Sequence, residues 1–97
     1  MLHRFEPVHV WEGHGIRRVI SDVERAAEWL LERWPPAFKD TPAQLAARMA
    51  CLDAWEGKVA AGHARTAFVV AAREAGILVP EEIAVRPTRE LSAQRWK

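Results

Sequence analysis

The chain has 97 residues, which leaves room for one hydrophobic core and excludes a two-domain arrangement. A hydrophobic fraction of 49% with 28% charged residues excludes a disordered or collagen-like chain. The formal charge of +1, from 14 Lys+Arg against 13 Asp+Glu, excludes a strongly basic or acidic protein whose overall field would select its partners. Five Trp and three Phe stand in an Ala-rich background without Tyr, so the Trp residues must carry much of the burial.

Val8 and Val10 alternate with His9 and Trp11, which predicts a strand over residues 5–11. Gly13 and Gly15 supply the positive φ angles of a tight turn, and residues 16–20 form the returning strand. A two-residue turn at His14-Gly15 would set Val10 opposite Val19 and Trp11 opposite Arg18, and it is preferred to a turn at Gly13-His14. Ser21 and Glu24 have the spacing of a capping box. The helix that follows carries Val23, Ala26, Ala27, Leu30, Leu31 and Trp34 on one stripe, leaves Trp29 outside it, and stops at Pro35-Pro36.

Thr41-Pro42 opens a second helix that Gly57 closes. Leu45, Ala46, Met49, Ala50, Leu52 and Ala54 leave it few polar positions, Gln44 among them, so it is expected to be the central helix, with Trp55 packed beside Gly57. A third helix over residues 60–75 places Ala64, Ala67, Phe68, Ala71 and Ala75 on one face and ends at Gly76. The Ala-rich faces of these two helices suit an antiparallel hairpin. Residues 77–79 are apolar enough to fold back on the core. The fold expected is α+β, an N-terminal antiparallel β-hairpin packed on three helices (ββααα) over residues 5–79. Residues 80–97 follow as a loosely attached or partly helical tail.

Particular runs carry a family resemblance. Within residues 24–35 stand an Ala-Ala pair, a Leu-Leu pair and Trp34-Pro35. Then come Ala50-Cys51-Leu52-Asp53-Ala54 with Gly57, and after them Ala64-Arg65, Ala67-Phe68, Ala71-Ala72 and Glu74-Ala75-Gly76-Ile77. In this order they resemble the small bacterial family of domain of unknown function 982 (DUF982). The resemblance covers residues 8–79 and implies a stand-alone domain of this size. It carries no activity, cofactor or catalytic residue.

The chemical candidates are few. His9, His14 and Cys51 have no paired ligand spacing, so His9 reads as a strand residue, His14 as a turn residue and Cys51 as a core side chain. No catalytic set, cofactor site or metal site is expected. Asp53 and Arg65 lie on facing helices near the Gly57 turn and could meet as an interhelical ion pair or, less simply, present an anion site. Arg17 and Arg18, with the basic tail, suggest nucleic-acid binding as an alternative, but neighbouring strand residues point to opposite faces.

Trp11 and Trp29, off the core stripe, are the best candidates for an interface, with Arg18 beside them. A bare hairpin has two open edges, and pairing of two chains edge to edge would close them. The function expected is thus that of a non-enzymatic interaction module acting as a homodimer. A single Cys and the lack of a signal-like N-terminus or long apolar run suit a cytoplasmic protein without membrane contact.

Overall fold

The computed structural model describes residues 3–13 and 15–80. The expected tail, including Trp96, lies outside the described residues apart from Pro80, as does the turn residue His14. Strands β1 (Arg4–Glu12) and β2 (Ile16–Asp22) form the hairpin. Helix α1 (Val23–Glu28) continues into a π-helical turn (Trp29–Arg33) and is followed by a 3₁₀ turn (Pro36–Phe38). Helices α2 (Pro42–Trp55) and α3 (Ala61–Glu74) complete the α+β fold.

The hairpin register differs from both two-residue alternatives. Val10 stands opposite Arg18, Trp11 opposite Arg17 and Glu12 opposite Ile16, so residues 13–15 make a three-residue turn. Gly13 and Gly15 both have positive φ, and the Gly15 amide donates to the Gly13 carbonyl at 3.0 Å. Burial explains the choice. A turn shorter by one residue would put Ile20 on the face opposite Val8 and Val10, whereas the observed pairing sets Val8 across from Ile20 and buries all three.

Between Arg4 and Val8 the pairing shifts, at the point where Pro7 has no amide to give. The carbonyls of this irregular stretch find a side chain: Arg65 Nε donates to the Glu6 oxygen at 2.8 Å and Arg65 Nη2 to the Pro7 oxygen at 3.4 Å. The other edge of β1 is not open. Trp11 donates its amide to the Ile77 carbonyl at 2.8 Å and Val79 donates to His9 at 3.0 Å, with Val10 bridged to Leu78. Residues 77–79 thus run antiparallel beside β1, which becomes the middle strand. The outer edge of β2 has no strand partner among the described residues.

The cap of α1 is Asp22 rather than Ser21, because β2 extends two residues past Ile20. Asp22 Oδ1 accepts from the Arg25 amide at 2.7 Å. Glu24, freed from a capping box, accepts from the amide and the ring Nδ1 of His3 at 3.0 and 2.6 Å, tying the start of β1 to α1.

Trp29 is a correction. It is buried, 5% exposed, while Leu31 of the expected stripe is exposed. An α-helical period of 3.6 would separate Trp29 from Trp34, but the wider π turn brings residues five apart onto one face. Both rings therefore enter the core, where Trp34 meets Phe68 edge to face at 5.6 Å.

The proline pair that ends this turn removes the amides that would have closed it. Pro35 and Pro36 cannot donate, so the last carbonyls take side chains instead. Gln44 Nε2 bonds the Leu30 oxygen at 2.7 Å and Lys39 Nζ the Leu31 oxygen at 3.0 Å. Gln44 is fully buried. Its amide oxygen accepts from the Asp40 amide and from Arg48.

Helix α3, not α2, is the central one. Ala64, Phe68, Ala71 and Ala72 are all completely buried, and α3 packs against α1, α2 and β1. Helix α2 starts as expected, with the Thr41 hydroxyl accepting from the Gln44 amide at 3.2 Å, but it buries one face only: Gln44, Ala47, Ala50, Cys51 and Ala54. Both helices end on a glycine of positive φ, Gly57 and Gly76. There the following amides, Lys58 and Ile77, bond back to Asp53 and Ala72.

Replacing Gln44 with Leu leaves the Leu30 carbonyl without its donor in the core. The substitution should lower folding free energy by about 2 kcal/mol, measured as a drop in the urea midpoint. An unchanged midpoint would mean that this bond does not hold the end of the π turn.

Candidate functional site

Two depressions flank α1, and they differ in chemistry. The first lies between α1 and α2, has a volume of about 550 Å³, and is walled by Ala27 and Leu31 on one side and Met49, Leu52 and Trp55 on the other. It exists because α2 is apolar on two faces but finds a partner for only one. Leu45, Met49 and Leu52 recur at helical spacing on the outer face. Met49 and Trp55 are each 57% exposed. Trp55 does not pack beside Gly57 as expected: α2 is peripheral, so its last turn buries Ala54 and leaves the Trp55 side chain uncovered. Glu24 and Arg48 supply charge at the groove.

The second depression, about 530 Å³, lies between β2 and α1 and is polar. Arg17, Arg18, Arg25 and Arg33 line it with Glu12 and Glu28. Glu12 is bonded through one oxygen to Arg18 Nε and through the other to Arg33 Nη1, at 2.9 Å. The Arg18 hydrogen bond, opposed by desolvation and assisted by both positive charges, holds the Glu12 carboxyl below its usual range. Arg17 and Arg18 were expected to diverge. They do: Arg18 stands opposite buried Val10 and Arg17 opposite Trp11, so the border of the cleft takes one arginine from each face at the edge of β2.

The remaining sequence candidates separate. Arg65 points to the β1 carbonyls described above, and it forms no ion pair with half-buried Asp53 among the described residues. The expectation of a pair failed because spacing from the turn says nothing of a strand beside α3 whose carbonyls lack donors. Trp11 is half-buried and stands opposite Arg17. Arg18 is exposed, and Trp29 belongs to the core rather than to an interface. Cys51 is 1% exposed, and burial, with a contribution from the Glu24 charge, pushes its thiol up to about 11. It acts as a small apolar side chain. Among the described residues no three His, Cys, Asp or Glu side chains gather as a metal site would require, and no helix is long and apolar enough to cross a membrane.

What these elements define is a one-core α+β domain, a hairpin braced by a short third strand and packed on three helices, with an apolar groove and an arginine-lined cleft on either side of α1. The family model described as a protein of unknown function (DUF982) matches residues 6–79, and the chain belongs to that family. No curated protein and no solved structure shows significant similarity to it.

Two measurements check these local assignments. In the native protein Cys51 should resist alkylation at mildly alkaline pH and react fully in urea, and rapid native labelling would contradict its burial. Desolvation pushes the Glu24 carboxyl up, but the hydrogen bonds from His3 outweigh it and hold the group below its ordinary value of 4.5. A carboxyl lowered by folding contributes stability above its unfolded pKa and loses it as pH falls through the folded one. Glu24→Gln should therefore shrink the stability lost on acidification below about pH 4, followed by denaturant midpoints against pH.

Proposed function

We propose that the protein is a non-enzymatic interaction module that works as a homodimer, with the α1–α2 groove as the self-association surface. One observation carries this reading: Leu31, Leu45, Met49, Leu52 and Trp55 are large apolar side chains left exposed on neighbouring helices. Together they expose on the order of 500 Å² of apolar surface, at the upper end of what a monomeric domain shows. With its polar surround the face approaches the roughly 800 Å² that a standard interface takes from each partner.

The choice of a second copy as occupant follows from charge and symmetry. A two-fold interface sets one patch against itself and so must be self-complementary. Glu24 and Arg48 give this groove both signs, and a chain of charge +1 does not repel its copy strongly. The edge-to-edge pairing suggested by a bare hairpin is less favourable. Residues 77–79 already occupy one edge, and the other, β2, carries Arg17 and Arg18, charges of the kind that discourage strand addition. The absence of enzymatic activity is supported by what the reactive groups do: Cys51 is buried with a raised pKa, and Arg65 is engaged by backbone carbonyls. A lone reduced thiol suits a cytoplasmic setting.

Light scattering or sedimentation across a concentration series should give the dimer mass. Met49→Glu and Trp55→Glu, at positions already exposed, should yield monomers with unchanged circular dichroism, whereas Val19→Lys on the β2 side should leave the mass alone. A monomer at concentrations up to about 1 mM would overturn the proposal, as would a dimer indifferent to both groove substitutions.

A further inference from the structure

The arginine-lined cleft has no part in the self-association proposed above, and its electrostatics point outward. Four arginines and two glutamates line it, so the cleft alone holds a larger positive excess than the whole chain with its net +1. Such concentration is not explained by internal pairing. Glu12 satisfies one nitrogen each of Arg18 and Arg33, and the other guanidinium nitrogens of both are left to donate. Arg17 and Arg25 make no ion pair among the described residues. The side chain of Glu28 lines the cleft without pairing to either.

We propose that this cleft binds the phosphate group of a ligand, with Arg25 as the primary donor, Arg18 and Arg33 as a pair steered by Glu12, and Arg17 at the rim. Planar guanidiniums present two parallel donors that match the oxygens of a phosphate, and a volume of about 530 Å³ admits a group of nucleotide size. The cleft floor explains why the donors converge. The π turn draws Trp29 inward, where it lines the cleft with Ile20, and carries Arg33 round to Glu12, while Arg25 stands one helical turn earlier on α1. Glu12 serves as an internal anion: it holds Arg18 and Arg33 in place and competes with an incoming phosphate for them.

The phosphate can come from a small phosphorylated molecule or from a nucleic-acid strand, and a titration of the isotope-labelled full chain distinguishes the two. Pyrophosphate added to about 10 mM at low salt should shift the amides of residues 16–20 and 25–33. Arg25→Ala should weaken binding by roughly ten-fold, the loss of one charge-assisted contact. Glu12→Gln should strengthen it several-fold, an effect that a merely structural role for Glu12 would not produce. Arg73→Ala, an exposed arginine on α3, should change nothing. A single-stranded oligothymidylate that binds far more tightly than pyrophosphate, with a steep salt dependence, would assign the phosphate to a strand, and equal or weaker binding would assign it to a small molecule. The proposal is overturned if neither probe shifts these amides, or if Arg73→Ala weakens binding as much as Arg25→Ala does.

Discussion

The hydrogen bond from Gln44 to the Leu30 carbonyl stands at the centre of this fold, since several other features depend on how the chain leaves α1. Two consecutive prolines end that segment and withhold the amides its last carbonyls would ordinarily take. A buried carbonyl without a donor costs on the order of 1–3 kcal/mol, so a side chain from α2 enters to supply one. The requirement couples the two elements. The π turn can be tolerated only where α2 delivers Gln44, and α2 lies where it does partly because Gln44 is anchored at both ends, to Leu30 on one side and to Asp40 and Arg48 on the other.

From that geometry follows the division of the large side chains. The wider turn sends Trp29 and Trp34 inward and leaves Leu31 outside, beside the unpartnered face of α2. With both indoles in the core, the helices can meet through alanine: Ala47, Ala50 and Ala54 of α2 face a third helix whose buried side is Ala64, Phe68, Ala71 and Ala72. Small side chains permit close backbone approach, and a domain of this size needs that density because its core holds few large residues. The groove on one side of α1 and the arginine cleft on the other are what remains when the inner surfaces have been used.

Much of the architecture was legible in the residue pattern, and the failures share physical causes. The strands, the Thr41 cap and the Gly57 and Gly76 ends are local devices that a short window reveals. Trp29 was misplaced because a fixed period of 3.6 was applied across a turn that does not keep it, although Pro35-Pro36 was a visible sign that the carbonyls upstream would need other partners. Trp55 was misplaced because apolar composition alone cannot say whether a helix is central or one of two faces lacks a partner. The register turned on parity: Ile20 belongs with Val8 and Val10, which only an odd-length turn allows. Arg65 was assigned to Asp53 by proximity along the chain, while its true partners are carbonyls nearly sixty residues away, set free by a proline in β1. Of the proposed phosphate cleft, only Arg17 and Arg18 stood out. Arg25 and Arg33 looked like ordinary exposed helix charges until the strand beside them was in place.

The short strand over residues 77–79 has a consequence for the order in which the molecule can assemble. It pairs with residues 9–11, so during synthesis β1 waits until all of α3 has been made before its second edge is covered. Contacts of such sequence separation are slow to form, and an uncovered β1 is a template for pairing with any other nascent copy. Until that closing strand arrives, pairing with β2 across the tight glycine turn is what keeps β1 from being open on both sides.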